Sequence, residues 1–343
     1  MVAVPIQYEF DAKPDAGATQ EIADGVHWLR MPLPFALDHI NLWLFRDHGK
    51  WVIVDSGIGT DFSKDVWRDV FTNAMRGDPA SHVVVTHLHP DHVGCAGWLT
   101  DHFDVDLWMT REEYMLCRIL VGDTGRSAPE EGVSFYRATG FGEEALANYR
   151  RMFGMFGRYV SELPEAYRRL RDGRTGPVGD HDWEVVVGRG HSPEHACFYC
   201  EELNLFVSGD QVLPSISANV SVYPTEPEAN PLKDWIDSLR AMKSRIPEDV
   251  LVLPAHGKPF RGAHIRIDQL VDEHLTKLDA LLELCREPRR TIDTFPALYR
   301  ARISNDNLMF ATGEAVAHLN YLLDEDLISV FQDEDGVNWY QRK

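Results

Sequence analysis

A run of side chains that can bind a metal lies between residues 86 and 92, in the sequence Thr-His-Leu-His-Pro-Asp-His. The apolar stretch HVVVT directly precedes it and predicts a strand, so the run occupies a strand end and the following loop. Neutral imidazole and carboxylate groups are good ligands for a borderline cation such as Zn²⁺. Incidental histidines in a polar loop also form close pairs, but an H-x-H-x-D-H pattern is much less ordinary. The candidate ligands in this run are His87, His89, Asp91 and His92.

Three more side chains that can bind a metal follow predicted strands, after the apolar runs WEVVV, NLFVS and VLVL. They are His191, Asp210 and His256, and each stands beside a small residue or a proline. Strand ends are where a rigid sheet can direct several side chains into one site. Any one of the three alone is a weak signal, whereas together with the run at 86–92 they predict one metal site.

With these residues, the sequence resembles the metallo-β-lactamase-fold hydrolases from about residue 20 to residue 262. Asp55, in Val-Asp-Ser-Gly, also matches an early strand-end aspartate of that family. The resemblance implies the fold class, an α/β protein built as a four-layer αββα sandwich with two metals at one edge. It also implies the ligands, which are His87, His89 and His191 for one metal, Asp91, His92 and His256 for the other, and Asp210 as the bridge.

Two metals about 3.5–4 Å apart can share a water molecule and convert it to hydroxide near neutral pH. Asp91 is expected to orient this metal-bound hydroxide and to carry a proton to the leaving group. Asp55 is expected to hold a ligand imidazole in one tautomer without touching the metal. We expect two Zn²⁺ per chain, with iron or manganese as alternatives. His89 disfavours di-iron redox chemistry, because flavodiiron proteins of this fold carry a carboxylate at that position.

One segment departs from the family's frequent pattern G-H-T-P-G-H, since residues 190–195 read Gly-His-Ser-Pro-Glu-His. Glu194 replaces a glycine, which puts the local turn in question but retains His191. His195 either faces the substrate or is a hydrogen-bonded histidine at a strand end, and the second interpretation is favoured. Cys197 and Cys200 form a C-x-x-C pair in a strand-like stretch, where buried small side chains are the favoured interpretation.

The elements that must position these residues are two sheets covered by helices. Thr60 is expected to cap the first helix. Short apolar runs predict strands at 24–30, 39–46, 51–55, 82–86, 183–187, 196–200, 204–208 and 250–253. Apolar periodicity predicts helices at 61–75, 111–121, 142–171, 231–246, 264–286 and about 310–323. The expected organisation is a catalytic domain over 1–261, with a helical lid at about 111–175, and a second domain over 262–343.

The expected second domain combines helices with a hairpin around an Asp-Gly turn, which indicates a small winged-helix-like module. It resembles the extension of one branch of the family, which includes an endoribonuclease and many bacterial hydrolases. DNA binding is disfavoured because the candidate recognition helix, ATGEAVAHLNYLLD, contains no Arg or Lys. Residues 262–343 hold 9 Lys+Arg against 15 Asp+Glu, a net charge of −6. A capping or dimerisation role is favoured, and a homodimer is a candidate assembly.

The whole chain of 343 residues is acidic, with 34 Lys+Arg, 54 Asp+Glu and a net charge of −20. An acidic surface repels phosphates, so nucleic acid is disfavoured as the main partner. The first residues lack the pattern of a secretory signal, and no apolar run approaches the roughly 18 residues of a membrane helix. The five cysteines are expected to be reduced thiols. These features predict a cytoplasmic protein without membrane association.

Residues 150–174, inside the expected lid, hold seven Arg and three acidic residues beside Met and Phe side chains. This mixture suits a small-molecule substrate with an acyl part and an anionic handle. The alternative is an amphipathic helix with an ordinary apolar face and a solvated Arg face. Gly154 and Gly157 would loosen such a helix, as a movable lid requires.

The function that we expect is metal-dependent hydrolysis of a carboxylic thioester, ester or lactone, with an acyl-CoA-like or glutathione thioester favoured. A phosphodiesterase or endoribonuclease is one alternative, and the acidic charge argues against it. A persulfide dioxygenase with a single iron is another, because such enzymes share the histidines. A non-catalytic binding protein is disfavoured by the complete set of ligands.

Overall fold

The computed structural model describes residues 6–34, 37–300, 302–305 and 307–343. The strands are, in chain order, β1 (Gln7–Tyr8), β2 (Thr19–Ala23), β3 (Val26–Pro32), β4 (His39–Asp47), β5 (Lys50–Val54), β6 (Ala80–Val84), β7 (Asp106–Met109), β8 (Arg168–Arg169), β9 (Thr175–Gly176), β10 (Trp183–Gly188), β11 (His195–Cys200), β12 (Leu205–Gly209), β13 (Leu251–Pro254), β14 (Phe260–Arg261), β15 (Ile328–Gln332) and β16 (Asn338–Arg342). The helices are α1 (Asp61–Asn73), α2 (Pro90–Val93), α3 (Ala96–Phe103), α4 (Arg111–Gly122), α5 (Glu130–Ala138), α6 (Glu143–Met152), α7 (Pro231–Lys243), α8 (Ala263–Leu284), α9 (Phe295–Leu298) and α10 (Leu308–Asp324). Short 3₁₀ helices lie at Phe156–Arg158 and Thr291–Thr294.

Two seven-stranded sheets form the centre of the molecule. The first has the order β2-β3-β4-β5-β6-β7-β8, and the second has the order β1-β14-β13-β12-β11-β10-β9. β4 and β5 are joined by a two-residue turn, in which His48 and Gly49 both have positive φ, 49° and 84°. Such a turn matches the twist of the flanking strands, and it confirms the hairpin predicted there.

Side chains alternate along each strand, so each sheet is covered on both faces. The core between the sheets contains residues of both, among them Trp43, Val54, Phe198 and Val207. The outer face of the first sheet packs against α1, α3 and α4. The outer face of the second sheet packs against α7, α8 and α10. This arrangement confirms the predicted α/β class with two sheets between layers of helices.

The helix predicted over 142–171 is wrong beyond Met152. Phe153 leaves the helical conformation, with φ −60° and ψ 139°, and Gly154 has φ 72°. A Cβ atom on Gly154 would lie 2.6 Å from the carbonyl oxygen of Asp123. This glycine therefore permits close packing against the end of α4, and it does not loosen a continuing helix. Four shorter helices of the described chain, α2, α3, α5 and α9, were not predicted.

From α8 to the C-terminal strands, the described residues form three α-helices, a short 3₁₀ helix and an antiparallel hairpin of β15 and β16. The turn around Asp335 and Gly336 confirms the predicted hairpin. Buried residues of α8 and α10 belong to the same core as the outer face of the second sheet. The domain division at residue 262 and the winged-helix description stay predictions.

Each of the five cysteines is a buried free thiol. Cys197 and Cys200 lie on opposite faces of β11, in different cores. Burial raises the pKa of Cys197 well above its ordinary value and also raises the pKa of Cys200. The pair therefore acts as core side chains, as predicted. In the described part of the chain, no helix has both the length and the apolar character needed to cross a bilayer.

Candidate metal centre

The structure brings all seven predicted ligand residues to one edge of the two sheets. They follow the ends of β6, β10, β12 and β13. The residues after these buried strands therefore lie at that edge. Two groups result, and within each group the candidate ligand atoms lie within 4.8 Å of one another. The first group is His87, His89, His191 and Asp210, and the second is Asp91, His92 and His256.

In the first group, three ring nitrogens converge. His87 Nε2 lies 2.9 Å from His89 Nδ1 and 3.2 Å from His191 Nε2. Burial lowers the pKa of His89 to about 3, and it lowers the pKa of His87 well below its ordinary value. These imidazoles are therefore neutral, which is the form that binds a metal.

Asp210, a member of the first group, also faces the second group, and its two carboxylate oxygens lie near different histidines. Its Oδ2 lies 3.4 Å from His191 Nε2. Its Oδ1 lies 3.4 Å from His256 Nε2 and 3.6 Å from His92 Nε2. Asp91 completes the second group, since its Oδ2 is 3.5 Å from His256 Nε2.

Backbone carbonyls fix the ring orientation of two of the histidines. His191 Nδ1 lies 2.7 Å from the carbonyl oxygen of Asn219, and His256 Nδ1 lies 2.8 Å from that of His39. A carbonyl oxygen only accepts hydrogen bonds, so Nδ1 carries the proton in both rings. The lone pair of each Nε2 is therefore available to a ligand on the side of Asp210.

Asp55 holds His92 in the same way. Its Oδ2 lies 2.7 Å from His92 Nδ1, and its Oδ1 accepts from the backbone N–H of Thr86 at 2.8 Å. Asp55 has φ 62°, a left-handed conformation that turns the chain at the end of β5. The contact predicted for Asp55 with a candidate ligand imidazole is present.

The charges of the cluster favour a cation. Burial opposes protonation of His92, but the carboxylates of Asp55, Asp210 and Asp91 together outweigh it and raise the pKa of His92 well above its ordinary value. Burial likewise opposes ionisation of Asp210, yet His256 and His92 hold its pKa well below the usual range. The carboxylates of this cluster therefore favour a positive charge beside them.

Unpartnered polar atoms show that the residues fit a metal. His92 Nε2 and Asp210 Oδ1 are buried and have no hydrogen-bond partner among the described residues, although they face each other across 3.6 Å. An orphaned buried polar atom costs about 1–3 kcal/mol, and a cation between these atoms would satisfy both. Nitrogen and carboxylate donors of this kind are the ligands that Zn²⁺ accepts.

In a second cluster of candidate ligands, the buried polar side chains have partners within the protein. His274, Glu314 and His318 are also buried with ligand atoms within 4.8 Å of one another. However, His274 Nδ1 and His318 Nε2 lie 3.2 Å apart as a hydrogen-bonded pair. The two oxygens of Glu314 accept from Asn219 at 3.2 Å and from Lys277 at 3.4 Å. Hydrogen bonds and one ion pair account for this cluster without a metal.

Glu113 was missed by the sequence analysis. Its carboxylate is fully buried and accepts from the backbone N–H of Leu88 at 2.9 Å and from that of Glu194 at 2.8 Å. It therefore ties the loop with His87 and His89 to the loop that follows His191. The available signal was an acidic residue on the buried face of α4, beside Tyr114 and Cys117.

Glu194 and His195, in the segment that departs from the family pattern, are both accommodated. The carboxylate of Glu194 accepts from the backbone N–H of Glu112 at 3.0 Å, at the first turn of α4. A negative charge is favourable at a helix N-terminus. His195 is fully buried, and its Nε2 accepts from the backbone N–H of Asp210 at 3.1 Å. His195 is therefore a hydrogen-bonded strand-end histidine, the interpretation favoured from the sequence.

Comparisons with known proteins identify several similar chains. A crystal structure of a beta-lactamase domain protein from Burkholderia ambifaria is 40% identical, has a TM-score of 0.90 and covers 98% of both chains. A probable metallo-hydrolase of Bacillus subtilis is 23% identical over 90% of this chain and 95% of its own. An acyl-coenzyme A thioesterase of Bos taurus is 21% identical over 76% of this chain and 87% of its own.

Two family models together cover most of the sequence. Residues 278–343 match the model described as the metallo-beta-lactamase-like C-terminal domain. Residues 36–283, which include all seven candidate ligands, match the model of the metallo-beta-lactamase superfamily. The chain belongs to the metallo-beta-lactamase superfamily.

Proposed function

We propose that the protein is a hydrolase that uses two divalent metal ions, zinc in the first place, to cleave a carboxylic thioester, ester or lactone. The observation that carries the proposal is the position of Asp210, whose two oxygens face two separate groups of ring nitrogens. One ion would be held by His87, His89, His191 and Asp210, and the other by Asp91, His92, His256 and Asp210. Two such cations supply an activated water molecule and polarise the carbonyl oxygen under attack.

Asp91 is the residue that we propose for proton transfer. Its side chain is 22% exposed, against 11% for Asp210, so it is the more accessible carboxylate of the cluster. Burial opposes its ionisation, but His92 and the hydrogen bond with His256 lower the pKa of Asp91 below its ordinary value. The carboxylate is therefore ionised near neutral pH. It can accept a proton and pass it to the departing thiol or alcohol.

A thioester of an acyl group is the substrate class that we favour. The similarity to the bovine acyl-coenzyme A thioesterase supports this choice. An anionic handle on the substrate would suit the arginines between residues 150 and 174. Some of these already have partners, since Arg150 lies 4.0 Å from Glu143, Arg151 donates to Asn148 Oδ1 at 2.6 Å and Arg168 lies 2.9 Å from Asp106. The remaining arginines are the candidates for binding such a handle.

The test combines elemental analysis with a substrate panel of acyl-CoA and glutathione thioesters, lactones, a phosphodiester and a glutathione persulfide. We expect about two zinc ions per chain and turnover of thioesters or lactones. His256→Ala should lower both the metal content and the turnover. The matched control is His102→Ala, because His102 is exposed near the end of α3 and belongs to neither group of candidate ligands. The control should match the wild type.

Three results would contradict the proposal. One iron per chain with oxidation of the persulfide would replace hydrolysis by dioxygenase chemistry. Turnover confined to the phosphodiester would overturn the bond class, and full turnover of the metal-stripped protein would overturn the metal requirement. A cytoplasmic location and a homodimer stay predictions, and sedimentation that shows only monomer would remove the second.

A further inference from the structure

The segment of residues 213–222, here called the Asn219 loop, connects Asp210 to the core beneath the C-terminal helices. Its central contact is the carbonyl oxygen of Asn219, which accepts from His191 Nδ1 at 2.7 Å. No other hydrogen bond of His191 Nδ1 is present among the described residues. The position of this carbonyl therefore sets the tautomer of the His191 ring and contributes to its orientation.

Helix α10 holds the Asn219 loop from one side. The side-chain amide of Asn219 donates to Glu314 Oε2 at 3.2 Å, and the backbone N–H of Val222 donates to the carbonyl oxygen of Gly313 at 3.0 Å. The hydroxyl of Ser221 donates to Asn219 Oδ1 at 2.5 Å. The side chain and the backbone of the loop are thus both fixed to one turn of α10.

Gly313 makes this approach possible. A Cβ atom at that position would lie 2.8 Å from both Cβ and Oγ of Ser221, and 3.0 Å from the carbonyl oxygen of Val222. Contacts below 3.0 Å are not tolerated without a shift of the helix or the loop. The absence of a side chain at this position therefore lets α10 pack directly against the loop.

Helix α8 holds the same loop from the other side. The buried guanidinium of Arg266 donates to the carbonyl oxygen of Leu213 at 2.6 Å and to that of Ile216 at 2.9 Å. His274 Nε2 lies 3.2 Å from the hydroxyl of Ser217. Because both helices fix the loop, little freedom remains for the carbonyl of Asn219.

We propose that Glu314 is a positioning residue of the metal centre, which acts through Asn219 on His191. By this route, the C-terminal helices form part of the site and do more than cap the catalytic sheets. The inference depends on the proposed role of His191 as a metal ligand. The carboxylate of Glu314 also lies 3.4 Å from the Lys277 ammonium, so it has a fixed partner on its far side.

The test measures zinc affinity by competition with a chelator, in Glu314→Ala, Asn219→Ala and the double variant. The carbonyl of residue 219 remains in all three, and only its anchoring changes. Residues that orient metal ligands typically contribute about 10–100-fold in affinity. We expect each single variant to lose about tenfold, and the double variant to lose no more than the weaker-binding single variant. Such non-additivity identifies one shared contact.

The matched control is Glu273→Gln. Glu273 is the other carboxylate beside Lys277, at 3.1 Å, and it is exposed and has no contact with Asn219 in the described chain. This variant should bind zinc like the wild type. Unchanged affinity in Glu314→Ala, or losses in the two single variants that multiply in the double variant, would overturn the proposal. An equal loss in Glu273→Gln would also overturn it.

A spectroscopic measurement separates positioning from general destabilisation. In the metal-free protein, ¹⁵N chemical shifts should show the His191 ring with its proton on Nδ1 in the wild type and a mixture of tautomers in Glu314→Ala. Thermal unfolding of each variant checks that the protein is folded. Neither readout needs a substrate. A failed thioester assay would therefore leave the result for Glu314 interpretable, and a failed test of Glu314 would leave the thioester assay interpretable.

Discussion

Asp55 Oδ2 lies 2.7 Å from His92 Nδ1, and both side chains are almost fully buried. The same carboxylate accepts from the backbone N–H of Thr86 at 2.8 Å and from its hydroxyl at 2.9 and 3.0 Å. These hydrogen bonds fix the position of the Asp55 carboxylate. It presents one acceptor to His92, which keeps His92 Nε2 directed at Asp210.

Asp55→Asn should weaken metal binding while the fold is retained. The amide has nearly the same shape, but it lacks the negative charge that holds the Nδ1 proton of His92. We expect zinc affinity to fall about 10–100-fold, the range for residues that orient metal ligands. Chelator competition measures this. Asp106→Asn, at an exposed carboxylate paired with Arg168, is the control. Equal affinity in the two variants would refute the role of Asp55.

Asp210→Ala should lose metal from both groups at once, because one carboxylate faces both. Elemental analysis after dialysis is expected to give less than one metal per chain, with no measurable hydrolysis. His256→Ala serves as the comparison, since it removes a ligand from the second group only and should retain about one metal. A variant at position 210 with its full metal content and full activity would rule out the bridging position.

Glu113 should make the metal-free protein less stable as the pH rises. Burial raises the pKa of Glu113 from its ordinary 4.5 to about 6. The folded protein therefore holds this proton more tightly than the unfolded chain does. The resulting stabilisation is fully present below pH 4.5 and is lost as the pH rises through about 6. The full difference corresponds to roughly 2 kcal/mol.

Glu113→Gln removes this titration. Between pH 4.5 and pH 7.5, the free energy of unfolding of the wild type should fall by roughly 1–2 kcal/mol relative to the variant. Urea unfolding of both metal-free proteins measures the difference. A difference that stays constant over this range would show that Glu113 does not titrate there.

His318 should destabilise the protein in acid. Burial lowers its pKa from 6.5 to about 4, so the folded protein disfavours the charged ring. The contribution of neutral His318 to the free energy of unfolding is therefore fully present above pH 6.5 and is lost as the pH falls towards 4. His318→Gln should avoid about 2 kcal/mol of the loss between pH 7 and pH 5. Urea unfolding provides the measurement. The control is His48→Gln, at an exposed position, which should be as sensitive to acid as the wild type. The same sensitivity in His318→Gln would contradict the prediction.

The convergence of the candidate ligand residues could be predicted because the members of each group follow short apolar strands in the sequence. The strand before His87 was predicted at 82–86 and is observed at Ala80–Val84, a shift of two residues. Burial on both faces gives such strands a nearly continuous apolar run, which the sequence displays directly. The hairpin at His48 was also predictable from local sequence, because its two-residue turn contains a glycine between two apolar strands.

Other parts depend on contacts between distant residues. Gly154 follows the end of a helix and packs closely against Asp123, and the local sequence does not contain that contact. The support of His191 by Asn219 uses a backbone carbonyl, which every residue possesses, so no residue type marks it. Glu113 resembles an ordinary helix residue until its two backbone partners are known.

The contact between α10 and the Asn219 loop also bears on the order of events during biosynthesis. A ribosome releases the chain from its N-terminus at roughly 5–20 residues per second. The histidine-rich run at 87–92 therefore emerges long before His256 and before α10, which spans Leu308–Asp324. A nascent chain therefore holds only part of the candidate ligands, and the loop that supports His191 lacks its contacts with α10. With the proposed roles of His191 and Glu314, we expect full metal affinity only after α10 has docked.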